Sequence, residues 1–192
     1  MARYRKLAVS LLVFLSIATA GCQKRSVQAA NDSAENGNAV LGALPVWDRD
    51  FLLNAEKWEV AQRSLSQTAL NRARGADVQN YAHTVVDDYL RTLQQLRDLM
   101  QKKGVSQPGL QTEADVEGAH RLDSVSDAED FDREYITVMA AETQQALARF
   151  RQAAETADDR EVRAYASAVL PVIERAQQKA ADLEKKLSKS AG

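Results

Sequence analysis

At 192 residues and 21.2 kDa the chain has room for one domain of ordinary size, and 45% hydrophobic with 27% charged residues is a globular balance. Eight Gly, three Pro and 6% aromatics argue against a turn-rich β-sandwich. A single Cys excludes a disulfide framework and a Cys-built zinc cluster, and two His leave little for a histidine-rich metal site or a conventional triad. A net charge of −2 argues against a dedicated nucleic-acid binder.

Residues 1–22 carry an address. Arg3, Arg5 and Lys6 precede an apolar run from Leu7 to Ala18, broken only by Ser10 and Ser16. The run is shorter than the about 20 residues that span a bilayer and reads as a secretion signal. Two cleavage readings stay open. Ala18-Thr19-Ala20 fits an ordinary signal-peptidase site, while Thr19-Ala20-Gly21-Cys22 resembles a bacterial lipobox with Thr where Leu is usual. The second is favoured because an unpaired thiol is a liability in an oxidising compartment and the only cysteine stands directly after Gly21. Cys22 is then the lipidation site and the membrane partner is reached through its acyl chains. Removal of residues 1–21 leaves 22 basic against 27 acidic residues, so charge gives no attraction to anionic lipid. The expected location is the cell envelope, facing the periplasm. Gln23 after Cys22 resembles the outer-membrane rather than the inner-membrane class.

Residues 22–47 read as the lipidated Cys and a flexible tether, polar and rich in Ala, Asn and Ser. As a coil, 25 such residues span about 25–30 Å. The more apolar end, Leu41 to Trp47, is expected to pack on the domain that occupies 48–189.

From Asp48 the apolar period is helical. Helix 1 is expected to be capped by Asp48 or Asp50, to turn Phe51, Ala55, Trp58, Ala61, Leu65 and Thr68 inward, and to end at Gly75. Helix 2 runs from about Asp77 to Lys103 with Val78, Ala82, Val85, Tyr89, Leu93, Leu96 and Met100 on one face, and Gly104 stops it. A loop with Pro108 and Gly109 leads to a short helical piece near Glu113–Leu122. Ser126 and Glu129 have the spacing of a capping box before helix 3, whose stripe is Phe131, Tyr135, Met139, Glu142, Ala146, Phe150 and Ala153. Asp158 or Asp159 caps helix 4, with Val162, Ala166, Val169, Ile173, Ala176, Ala180, Leu183 and Leu187 inward.

An offset of 84 positions lays Asp77-Val78 and Tyr81-Ala82 over Glu161-Val162 and Tyr165-Ala166, and Val85-Val86 over Val169-Leu170. Each half is then a helical hairpin. The expected fold is all-α: a ferritin-like four-helix bundle of two hairpins joined by a long crossover with a short extra helix.

The chain resembles a ferritin-like family of bacterial predicted outer-membrane proteins of unknown function. The resemblance rests on Phe51-Leu52, on Tyr81-Ala82 with Val85-Val86-Asp87-Asp88, and on Lys102-Lys103-Gly104-Val105. It continues through Leu122, Val125-Ser126, Ala128, Phe131-Asp132 and Tyr135 to Met139 and Leu170-Pro171. It implies histidines beside carboxylates in helices 2, 3 and 4, like a metal site. Here those positions hold Tyr89, Thr143 and Ala176, and a helix 1 position where the family often has Glu is Ser64.

Asp87, Asp88 and Glu142 remain as weak metal candidates, with His83 four residues before Asp87 on the same helix face. Helices 1 and 4 are expected to add no ligand set, so no metal and no cofactor is expected; the alternative is a divalent metal in a residual carboxylate site. His120 beside Glu117 reads as surface, Trp58 and Tyr89 as core fillers, and Glu142 as a carboxyl bonded to Tyr89 or Thr143. No P-loop, GxGxxG, GxSxG or HExxH motif occurs, so no catalytic residue is expected. The sequence therefore favours a non-catalytic envelope protein with an interaction or structural role and an envelope protein partner. The alternative is a metal-binding or oxidoreductase-like bundle.

Overall fold

The computed structural model of the protein describes residues 44–106 and 117–190. The signal, Cys22 and most of the expected tether lie outside the described residues. So do Pro108, Gly109 and Glu113.

Five helices form among the described residues: α1 (Val46–Arg72), α2 (Ala76–Lys102), α3 (Glu117–Asp123), α4 (Ala128–Thr156) and α5 (Arg160–Ser190). The first starts before Asp48, so Val46 and Trp47 belong to the bundle rather than to the tether, and Leu44 packs against the core. Helices α1 and α2 form one hairpin and α4 and α5 the other; α2 packs on α5, and α1 on α4. The resulting fold is an all-α bundle.

Polar contacts at the ends give the helix directions. Lys103 at the end of α2 pairs with Asp159 at 2.6 Å and Glu161 at 2.8 Å at the start of α5, so these two helices are antiparallel. Asp48 near the start of α1 accepts the backbone N–H groups of Asp158 and Asp159 just past α4, at 3.2 and 2.6 Å. Asp132 near the start of α4 likewise accepts Arg74 and Gly75 N–H just past α1, at 3.1 and 2.7 Å. All neighbouring long helices are therefore antiparallel, and the link from α2 to α4 must run the length of the bundle, about 40 Å for 27 residues. The far end of that link is held by Arg72, which donates to the Leu122 and Val125 carbonyls and lies 4.3 Å over the Phe131 ring.

The two Asp contacts repeat the 84-position offset seen in the sequence: Asp48 corresponds to Asp132, and residues 158 and 159 to 74 and 75. Each hairpin thus inserts a buried carboxylate into the turn of the other. This overturns the expectation that Asp48 caps its own helix, because the helix has already begun at Val46 and the side chain points across the bundle. Gly75 does not end α1 either. It precedes α2 with an ordinary φ of −67°, and a Cβ there would meet the Asp132 carboxylate at 2.9 Å. Gly104 is a true stop at φ 64°: its N–H reaches the Gln101 carbonyl and the Val105 N–H the Met100 carbonyl. The cap of α4 is Asp127, not Ser126, since the Asp127 carboxylate accepts the N–H groups of Glu129 and Asp130. Asp159 caps α5 through the N–H groups of Glu161 and Val162.

The apolar core has two blocks. One gathers Phe51, Ala55, Leu96, Ala146, Phe150, Val162 and Val169; the other Leu65, Val78, Tyr81, Tyr89, Phe131, Tyr135 and Met139. Trp58 packs against both. On α2 every expected inward residue is buried. On α1 the inward face is rotated from the expected stripe: Trp58, Ala61 and Thr68 are only half-buried, while Leu52, Glu56, Glu59, Gln62, Ser66 and Ala69 turn inward.

Candidate functional site

Between the two apolar blocks, α1 places Glu56, Glu59 and Gln62 one turn apart on its inward face. Glu59 is fully buried. Both of its oxygens are engaged: Thr92 Oγ1 on α2 donates to Oε2 at 2.6 Å, and the Tyr165 hydroxyl on α5 donates to Oε1. Burial pushes the Glu59 carboxyl up. The Thr92 and Tyr165 hydroxyls oppose that, the Glu56 carboxylate adds to it, Arg97 opposes it, and the net result is a rise from 4.5 to about 7.

Glu56 is also buried, but it lies at the edge of the layer. Its Oε1 accepts Arg97 Nε at 2.7 Å, and the Arg97 side chain is half exposed. Its Oε2 is buried and has no partner among the described residues; the same is true of both amide atoms of Gln62, the hydroxyls of Tyr81 and Tyr89, and Trp58 Nε1. Below them Ser66 Oγ lies 2.7 Å from the Tyr135 hydroxyl and donates to the Gln62 carbonyl at 2.8 Å. Burial raises the phenols of Tyr81, Tyr89, Tyr135 and Tyr165, which therefore stay neutral around pH 7. Tyr89 meets Trp58 edge-to-face at 5.1 Å.

The residues singled out from sequence do not converge on this layer as a set. His83 and Asp87 are exposed on α2, and Asp88 is partly buried in an ion pair with Arg91. His120 is exposed on α3. Glu142 is not on the core face of α4; its neighbour Thr143 is, and the Thr143 hydroxyl donates to the Met139 carbonyl of its own helix at 2.6 Å. Glu142 instead lines a cleft of about 40 Å³ between α1 and α4, with Phe51, Trp58, Arg149 and Phe150. Ser64 is half-buried, Tyr89 is fully buried and Ala176 half-buried.

The buried acids of α1, Glu56 and Glu59, escaped the sequence reading because acidic residues count as surface in an apolar-period search. Their signal was spacing: Glu56, Glu59, Gln62 and Ser66 keep step with Leu52, Ala55, Leu65 and Ala69.

The metal centre that the family resemblance implies can be tested against these donors. A di-metal bundle site takes carboxylates from two helices and Glu-x-x-His pairs from two more. Here both buried layer carboxylates come from α1; Glu59 faces hydroxyls of α2 and α5, and Glu56 faces the Arg97 guanidinium of α2. Among the described residues no three of His, Cys, Asp and Glu gather as a ligand set. The buried donors of this layer do not fit that centre.

A family model described as "Domain of unknown function (DUF4142)" matches residues 30–183. The chain belongs to the DUF4142 family. The matched span takes in α1 to α4 and most of α5, so the Asp-locked turns and the polar layer all lie inside the DUF4142 domain. The crystal structure of a DUF305 fragment from Deinococcus radiodurans is similar in fold, with a TM-score of 0.58 at 15% identity over 77% of this chain and 99% of that one. No curated protein matches the chain. Among the described residues no helix is long and apolar enough to cross a membrane.

Proposed function

We propose that this DUF4142 protein is a lipid-anchored envelope protein whose ferritin-like bundle serves an interaction or structural role rather than metal chemistry. The observation that carries this reading is the one-sided polar layer. Its buried carboxylates come from α1 alone, and the positions where the resemblance implies histidine hold Tyr89, Thr143 and Ala176. A phenol, a self-bonded hydroxyl and a methyl group supply no imidazole nitrogen for a divalent ion. The anchor follows from Cys22 at the end of the signal, with the protein held at the membrane face by acyl chains.

Two measurements test the reading. Melting curves of the bundle with and without iron, manganese or zinc should coincide, since a ligand that binds only the folded state raises its stability. A metal-dependent rise would favour the second reading, a carboxylate metal site, for which the unpartnered Glu56 Oε2 is the best starting donor. Fractionation of Cys22→Ser should find the protein released from membranes or retained with its signal uncleaved. Membrane partitioning of the correctly cleaved variant would overturn the lipid anchor.

A further inference from the structure

The whole polar layer is more hydrophilic than a structural core requires. Six buried polar atoms on Glu56, Trp58, Gln62, Tyr81 and Tyr89 have no partner among the described residues. Buried polar groups are nearly always hydrogen-bonded, to protein or to ordered water, because an unmade bond forfeits the solvation the group had in water. Along α1 these atoms flank Glu59, at Glu56 and Trp58 on one side and Gln62 on the other, and α2 adds Tyr81 and Tyr89 on the Gln62 side. At one end the Glu56–Arg97 pair joins the layer to solvent through the half-exposed guanidinium.

We propose that Glu59 is an internal proton-binding site of the bundle, connected to solvent by waters held on Glu56, Gln62, Tyr81 and Tyr89. The geometry suits a proton that comes and goes. Thr92 and Tyr165 each offer a hydroxyl, and a hydroxyl accepts as readily as it donates. The Glu59–Thr92 bond therefore survives protonation with its direction reversed: Glu59 Oε2–H donates to Thr92 Oγ1. Proton uptake leaves no lone pair or donor of the carboxyl stranded.

The charged and titratable groups around Glu59 set the balance. Glu56 on α1 disfavours the anion, and Arg97 on α2 favours it. Tyr89 on α2 and Tyr165 on α5 are neutral phenols whose own ionisation Glu59 opposes. From α4, Tyr135 acts on Tyr89 and Tyr81 and is held by Ser66, while Glu142 and Arg149 line the cleft alongside Trp58. Asp88 acts on Tyr89 from the α2 surface. Burial decides among these influences and places the carboxyl near neutrality.

The sign of the linkage follows. The folded chain holds this proton more tightly than the unfolded one, so the site stabilises the fold fully below the ordinary Glu value of 4.5, and the contribution fades as pH rises through about 7. Between pH 5 and pH 8 this one group should raise the unfolding constant on the order of 50- to 100-fold.

The experiment compares wild type with Glu59→Gln across that range, by denaturant unfolding and by infrared difference spectra of the protonated carboxyl band. The expected result is a rise in the unfolding constant between pH 5 and pH 8 that is smaller in Glu59→Gln by that factor, with a carboxyl band that titrates near neutrality in wild type and is missing in the variant. Tyr165→Phe guards against a variant that fails to fold: loss of a bond that favours the anion should move the midpoint upward. Equal slopes in wild type and Glu59→Gln, or a wild-type carboxyl band that titrates below pH 5, would overturn the proposal. So would a midpoint unmoved by Tyr165→Phe.

Discussion

Replacing Asp48 by Ala probes the contact that locks one hairpin onto the turn of the other. The carboxylate is 1% exposed and accepts two backbone N–H groups, from Asp158 and Asp159. A hydrogen bond to a charged group contributes about 1.5–3 kcal/mol. The donors are only partly buried and recover some water bonding when the acceptor is removed, which brings the expected loss to about 2–4 kcal/mol. That is a large share of the roughly 5–15 kcal/mol by which domains are stable. For a domain of this size it lowers Tm by roughly 5–15 °C. Asp48→Asn keeps one acceptor but turns an amide donor toward the second N–H, so its loss should fall between wild type and Ala. Asp132→Ala should cost a similar amount at the opposite end, and the double variant should lose nearly the sum, because distant sites add. Thermal denaturation followed by far-ultraviolet circular dichroism reads all four. If Asp48→Ala melts within about 2 °C of wild type, the hairpin-lock argument is wrong.

Arg97→Leu should destabilise the bundle by about 3–5 kcal/mol in urea unfolding, because it strands the buried Glu56 carboxylate. Adding Glu56→Leu should recover most of that loss, and a double variant no better than the single one would show that the pair is not the cause. Gly104→Ala should lower stability by about 1–2 kcal/mol, since φ is 64° and no atom within 4 Å would welcome or resist the added Cβ. An unchanged denaturation midpoint would contradict the left-handed stop.

Where apolar period carried the information, the sequence was easy to read. The seven inward residues expected on α2, from Val78 to Met100, are hydrophobic and are buried as spaced; the buried Thr92 beside them is the polar addition. Gly104 and Asp159 acted locally and were legible as helix punctuation. For Asp48, Glu56 and Glu59 the difference has one physical origin: a polar residue whose partner is remote in sequence. Asp48 looks like a cap until the turn 110 residues later is seen to use it. Ser126 lost the α4 cap to Asp127 because either residue can accept the free N–H groups, and spacing alone does not choose. Glu56 and Glu59 look like solvent-facing acids until Thr92, Arg97 and Tyr165 arrive from two other helices. Glu142 fits the three- and four-residue spacing of the α4 stripe, but the core face there belongs to its neighbour Thr143, whose hydroxyl is satisfied by the Met139 carbonyl of its own helix. The 84-position offset was visible as apolar matches; its meaning, two reciprocal carboxylate locks, required the packed turns.

The claim that the bundle acts through its surface rather than through a metal is tested most directly by elemental analysis of untagged protein purified from its membrane fraction. Iron, manganese, zinc and copper should all fall far below one ion per chain. One equivalent of any of them, lost together with thermal stability on chelation, would contradict that claim and place a metal in the layer of Glu56 and Glu59.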